Sequence, residues 1–120
     1  MMSNSLTTIK EKKMVAHMSP LHPGEMLVEE FIKPLGLTQT HLAEETGIPL
    51  ARINQICLHK RGITADTDLR LSRYFGLSEG WWLRVQAHYD IQTTKDSLGS
   101  RLVRECRVLP KRDGALLAVV

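Results

Sequence analysis

The sequence predicts an all-α domain of five short helices with a helix-turn-helix at its centre. A tail precedes it and a basic extension follows. Three observations carry that expectation. Across residues 21–90 the apolar residues recur at three- and four-residue spacing, with no strand-like alternation. Glycine, proline and threonine punctuate the same stretch at short intervals. The chain has 120 residues, 42% hydrophobic and 24% charged, which is an ordinary single domain's worth of core and surface.

The first helix is expected at Gly24–Ile32. Pro23 and Gly24 open it, and Glu25 lies in the turn where the helix dipole favours an anion. Leu27 with Phe31, and Val28 with Ile32, make a broad apolar face, and Pro34 is expected to stop the helix. Thr38 is the N-cap of a second helix from Gln39 to Thr46, with Leu42 and Ala43 inward. Gly47 makes the turn, and Pro49 suits the first position of a third helix ending near Leu58, with Ile53 and Ile56 on its buried side. Thr64 caps a fourth helix, acidic at its start (Asp66, Asp68) and basic later (Arg70, Arg73), with Leu71 and Phe75 toward the core and Gly76 at its end. Ser78 is expected to cap a fifth helix at Glu79–Tyr89, marked by Trp82, Val85 and Tyr89.

The organisation is thus a tail over 1–20, a helical domain over 21–90 and a basic, partly apolar extension over 91–120. Of the overall charge of +3, the first twenty residues carry +2, residues 21–94 carry −2 and residues 95–120 carry +3. A nucleic-acid surface in the middle must therefore come from local clustering. No apolar run approaches the ~18–20 residues of a membrane span, and no apolar signal-peptide core follows the first residues, so a cytoplasmic protein is expected. Cys57 and Cys106 are read as reduced thiols.

The informative stretch is Gln39–Leu58, QTHLAEETGIPLARINQICL. Ala43, four residues after Gln39, lets two helices cross closely. Gly47, eight after, allows a sharp turn, and Ile53 and Ile56, fourteen and seventeen after, wedge the second helix against the first. That is helix-turn-helix spacing, whose second helix can enter the major groove of DNA; the plain alternative is a helical hairpin that only packs. Leu50, Ala51, Arg52, Asn54 and Gln55 are the base-contacting residues of this reading. Gln or Asn can grip adenine and Arg can grip guanine, while Leu50 and Ala51 suit thymine methyls. Arg52 has three partners open to it: a base, a phosphate, or a carboxylate of its own chain, Glu44 or Glu45. Thr38, Gln39, Lys60, Arg61 and Thr64 are the phosphate-contacting residues, placed at helix N-termini or adding formal charge.

Trp81 and Trp82 point about 100° apart on a helix. Trp82 is assigned to the core. Trp81 is expected partly exposed, either anchoring a partner or lying over the end of the fourth helix. The histidines and cysteines form no tetrahedral set, Cys57 reads as a small apolar filler, and no nucleophile elbow, phosphate loop or facing carboxylate pair is present. No catalysis, metal or cofactor is expected.

The domain resembles the lambda-repressor-like (Xre-type) helix-turn-helix group, and within it the HigA family of antitoxins, also labelled virulence-associated protein I. The residues that carry the resemblance are His22-Pro23-Gly24-Glu25, Lys33-Pro34-Leu35-Gly36-Leu37-Thr38-Gln39, Arg52-Ile53-Asn54, Lys60 to Thr67, Trp82-Leu83, Gln86-Ala87 and Tyr89-Asp90. The resemblance implies a bacterial antitoxin that binds operator DNA as a homodimer, represses its own operon and neutralises a HigB-type, mRNA-cleaving toxin. The chain departs from the family at Trp81-Trp82, where Phe-Trp is frequent, and at Leu50 and Ala51, where polar residues are frequent. An orphan regulator without a toxin, and an inhibitor of a protein partner that does not bind DNA, are the rival readings.

Overall fold

A computed structural model describes residues 20–112 and 115–116. The tail over 1–20 lies outside the described residues except for Pro20, as does the apolar end beyond Leu116. The domain is helical as expected. Helix α1 spans 23–35, α2 is Gln39–Thr46, α3 is Leu50–Cys57, α4 is Ala65–Phe75, α5 is Trp81–Leu98, and a short α6 is Arg101–Glu105. Two two-residue strands follow, β1 (Lys111–Arg112) and β2 (Ala115–Leu116), paired antiparallel with Lys111 opposite Leu116.

Helix α1 begins where His22 caps it: the ring Nδ1 accepts the Gly24 N–H at 2.9 Å. Across Leu27–Ile32 its turns widen, so that the Lys33 N–H reaches the carbonyl of Val28, five residues back. Pro34 therefore does not stop the helix. The wide turn ahead of it relieves the clash of the proline ring with the preceding turn, and the helix ends instead at Gly36, which is left-handed. Gly24 is needed for close approach: a Cβ there would fall on the backbone carbonyl of Ile56, where α1 crosses the end of α3.

Helices α2 and α3 form the expected hairpin. Thr38 Oγ1 accepts the His41 N–H at 3.0 Å, and Gly47 turns the chain with φ 75°. Pro49 is the N-cap of α3 rather than its first residue, its ψ of 136° being extended. Leu42, Ile48, Ile53 and Ile56 are buried together with Met26, Leu27, Ile63, Leu71, Trp81, Trp82 and Val85, and Phe31 and Phe75 pack against them partly covered.

Three expectations about α5 are corrected: its bounds, its cap and the place of Trp81. It starts at Trp81, not Glu79, and runs on to Leu98 rather than ending at Tyr89. The residue that caps it is not Ser78 but Asp68, from α4. That buried carboxylate accepts the N–H groups of Gly80 (2.7 Å), Trp82 (2.8 Å) and Leu83 (3.2 Å). A carboxylate is stable there because it sits at the positive end of α5 and its oxygens are satisfied. The third correction concerns Trp81, which is 0% exposed, like Trp82. Phe31 of α1 lies 5.6 Å from Trp81 and 5.1 Å from Trp82, ring centre to ring centre, and Phe75 of α4 lies 6.2 Å from Trp82. The start of α5 is wedged between α1 and α4, so two faces 100° apart are both inside.

Beyond Asp90, α5 leaves the core. No residue from 91 to 110 is buried, and Ile91, Leu102, Val103, Val108 and Leu109 are exposed. No helix among the described residues is long and apolar enough to cross a membrane.

Candidate nucleic-acid interface

The surface is assembled by the starts of three helices. Leu50, Ala51 and Asn54 of α3 are exposed, while Arg52 and Gln55, expected on the same exposed side, are half-buried. Asn54 Nδ2 donates to Gln39 Oε1 at 3.4 Å, which ties the first turn of α2 to the outer face of α3. Arg52 Nη1 donates to Asp66 Oδ2 at 3.0 Å, which ties α3 to the first turn of α4. The carboxylate partner of Arg52 is thus Asp66 and not Glu44 or Glu45: the hairpin turns the outer face of α3 toward α4.

Thr38 is exposed at the start of α2, and Thr64 at the start of α4, where its hydroxyl accepts the Thr67 N–H at 3.4 Å. Each hydroxyl caps its own helix through one lone pair; the Thr38 O–H is left to meet an anion beside it, whereas the Thr64 O–H donates to Thr67 Oγ1 at 3.3 Å. Lys60 and Arg61 are exposed in the loop between α3 and α4, and among the described residues neither has a carboxylate partner.

That loop is held at both ends. His59 takes a left-handed backbone, φ 62°, an uncommon conformation for a residue with a Cβ. Its ring stacks on His22, centres 4.6 Å apart and planes 19° apart, and Tyr89 of α5 meets His22 edge-on at 5.3 Å. Burial and then the neighbouring His59 push the His22 pKa below its ordinary value, against the opposing pull of Asp90 and Glu25. At the far end, Gln86 of α5 accepts the Ile63 N–H at 2.9 Å through Oε1 and donates to Asp90.

The structure therefore brings Thr38, Gln39, Arg52, Asn54 and Thr64 onto adjoining helix starts, with Lys60 and Arg61 on the loop that leads to α4. It separates Trp81 from them: that side chain is enclosed in the core and presents no surface to a partner. Sequence reasoning missed the parts that hold this surface in place: Asp66 beside Arg52, Gln86 under the loop, the His22–His59 stack and the Asp68 cap. The signal for Asp68 was the absence of a capping side chain at Gly80, directly before Trp81-Trp82. Among the described residues no group of three or more His, Cys, Asp or Glu side chains is placed to hold a metal ion. Cys57 is a free thiol, half-buried, its pKa raised by burial, as suits a filler.

A helix-turn-helix family model matches residues 28–82. Virulence-associated protein I of Dichelobacter nodosus is 49% identical over 75 residues, 62% of this chain and 69% of that protein. The antitoxin HigA of Pseudomonas aeruginosa, solved with the higBA promoter, is 33% identical, with a TM-score of 0.70 over 77% of this chain and 100% of that one. A further solved structure, of a Pseudomonas aeruginosa protein in complex with 18 bp of its operator DNA, is 34% identical, with a TM-score of 0.72 over 77% of this chain and 99% of that one.

Proposed function

The chain belongs to the HigA family of helix-turn-helix antitoxins, and from that premise we propose that it is a homodimeric repressor of its own operon that also neutralises an mRNA-cleaving toxin of the HigB type. The family is one of DNA-binding regulators, not of enzymes. The observation that carries the proposal is the joined face at the starts of α2, α3 and α4. Asn54 is bonded to Gln39 and Arg52 to Asp66 across it, and the cations Lys60 and Arg61 follow α3. Solved relatives with operator or promoter DNA support the same reading.

In this mechanism α3 lies in the major groove. Leu50, Ala51, Arg52, Asn54 and Gln55 meet base edges, while Thr38, Gln39, Lys60, Arg61 and Thr64 hold the flanking phosphates and set the register. Two copies read half-sites one helical turn, ~34 Å, apart. Toxin bound to the same dimer changes operator affinity to the extent that it binds the free and DNA-bound states unequally.

Nuclease footprinting of the DNA upstream of its own reading frame tests the repressor reading. Two protected half-sites about one turn apart are expected, and an unprotected upstream region would overturn it. Co-purification with the product of a neighbouring small reading frame, and loss of that product's mRNA cleavage, test the toxin. The dimer is assigned to the arm after Asp90, whose exposed apolar side chains need cover. A chain ending at Asp90 is expected to keep its helical circular dichroism and cooperative melting but lose dimer mass or toxin binding. Non-cooperative melting would place the arm in the core.

A further inference from the structure

We infer that Asp66, which is not on the recognition helix, is a positioning residue that aims Arg52 at a base edge and so helps to set which sequence is read; this rests on the proposed DNA reading. Asp66 stands at the second position of α4, exposed, and is gripped from two sides. Oδ2 accepts Arg52 Nη1 at 3.0 Å, and both carboxylate oxygens lie 3.2 Å from Arg70 Nε. Arg70 is itself anchored, its Nη1 donating to the carbonyl of Thr46 at the end of α2 at 3.0 Å. A Cβ on Gly47 would come within 2.7 Å of that same nitrogen, so the turn and the anchor are fitted to each other. The chain of contacts Thr46–Arg70–Asp66–Arg52 thus runs from the end of one helix of the hairpin, through α4, to the first turn of the other. The two guanidinium groups hold the Asp66 carboxyl below its usual range, Arg70 first.

The consequence lies in what Asp66 leaves free. A guanidinium has five N–H donors in a planar fork, and guanine accepts two of them, at O6 and N7. Asp66 takes one Nη1 hydrogen. Among the described residues the Nε–Nη2 edge has no partner, and that is a two-donor edge of the kind guanine binds. Arginine is flexible, and ordering it on contact with DNA costs conformational entropy. With one nitrogen pinned by a fixed carboxylate, much of that ordering has happened before DNA arrives. Asp66 also carries a negative charge near the phosphates. That charge disfavours the simplest competing role for Arg52, a swing onto the DNA backbone, because leaving Asp66 would strand a carboxylate beside other anions. The same charge should weaken non-specific binding slightly, so the pair trades general affinity for discrimination.

The test uses the full chain and its own upstream DNA, with each base pair of the half-site substituted in turn. Asp66→Ala is expected to reduce the preference at one G·C pair per half-site about tenfold. Its binding to shuffled DNA should be unchanged or tighter. Arg52→Ala should lose preference at the same base pair, and the double variant should lose no more than Arg52→Ala alone. Arg70→Ala frees Asp66 on one side but leaves it on Arg52, and should lose part of the preference at that same base pair with shuffled DNA unaffected, whereas a general loosening of α2 against α4 would weaken both duplexes alike. Equal weakening on upstream and shuffled DNA, additive losses in the double variant, or an intact preference in Asp66→Ala would each overturn the inference while leaving the repressor reading in place. A wild-type chain that does not distinguish upstream from shuffled DNA would instead strike the repressor reading. Should Asp66→Ala melt early, Asp66→Asn, which keeps shape and one acceptor but removes the charge, decides the matter through the same base-pair profile.

Discussion

Asp66 and Asp68 stand two residues apart in the first turn of α4 and serve opposite sides of the molecule. Asp68 is 1% exposed and is satisfied by backbone N–H groups at the head of α5; Asp66 is exposed and held by arginine side chains. The buried carboxylate is fixed by donors that cannot move away, so it fastens α4 to α5 and shapes the core. The exposed one is fixed by two flexible cations, so its contribution to folding is small and its value lies in where it holds Arg52. Residue type and helix position are shared. The surroundings alone divide one aspartate into a structural cap and the other into part of a reading surface.

The largest effect is expected where the comparison is most one-sided. Asp68→Ala leaves the N–H groups of Gly80, Trp82 and Leu83 without their acceptor and should cost about 2–4 kcal/mol of stability. The urea midpoint measures it; a midpoint within error of wild type would mean that α5 does not depend on that cap. On the open side, replacing Lys60 and Arg61 together with alanine should weaken binding to every DNA sequence. It should flatten the slope of log affinity against log salt by up to about two units, with little change in melting. An unchanged slope would remove both cations from the backbone. Gln55→Ala should cost about 1–3 kcal/mol on upstream DNA and relax one base pair per half-site. The half-burial of Gln55 makes this a sharp test of which residues on α3 reach the groove, since loss on shuffled DNA as well would assign it to packing.

How much of this was legible in the sequence follows from the range over which each signal acts. The hairpin was legible because Thr38, Ala43, Gly47, Ile53 and Ile56 act within one turn or on the helix next along the chain. The caps at Thr38 and Thr64 and the breaks at Gly47 and Gly76 were found for the same reason. The Asp68 cap was not, because its donors lie twelve to fifteen residues onward and a carboxylate in a first turn already has a local explanation in the helix dipole. The partner of Arg52 was missed likewise: Asp66 is fourteen residues away, whereas Glu44 and Glu45 were close in sequence. The burial of Trp81 depends on α1 and α4 arriving from two directions, which one helix's periodicity does not report. The far half of α5 carries Thr93, Thr94, Lys95 and Asp96, a polar run with no apolar stripe to announce a helix.

The smallest effect sits where the two sides meet. His22 caps α1 through Nδ1 and stacks on His59, beside the loop of Lys60 and Arg61. Protonating Nδ1 would end its role as acceptor. The His22 pKa is lowered on folding, so the unfolded chain binds the proton more readily. The contribution of His22 is therefore present above its unfolded pKa, ~6.5, and is lost as pH falls below it toward the depressed folded value. His22→Asn keeps a capping oxygen without titrating in this range. The drop in melting temperature between pH 7.5 and 5.5 should be smaller in that variant than in wild type, and an equal drop would assign the acid sensitivity to other groups.

The central claim is that the joined helix starts of α2, α3 and α4 read sequence. Fluorescence anisotropy of the full chain on its own upstream DNA, and on a shuffled duplex of the same composition, measured across a salt series, tests it most directly. The account predicts tighter binding to the upstream DNA by at least about a thousandfold near physiological salt, with both affinities falling linearly in log–log form as salt rises. Equal affinity for the two duplexes, or binding that ignores salt, would contradict it.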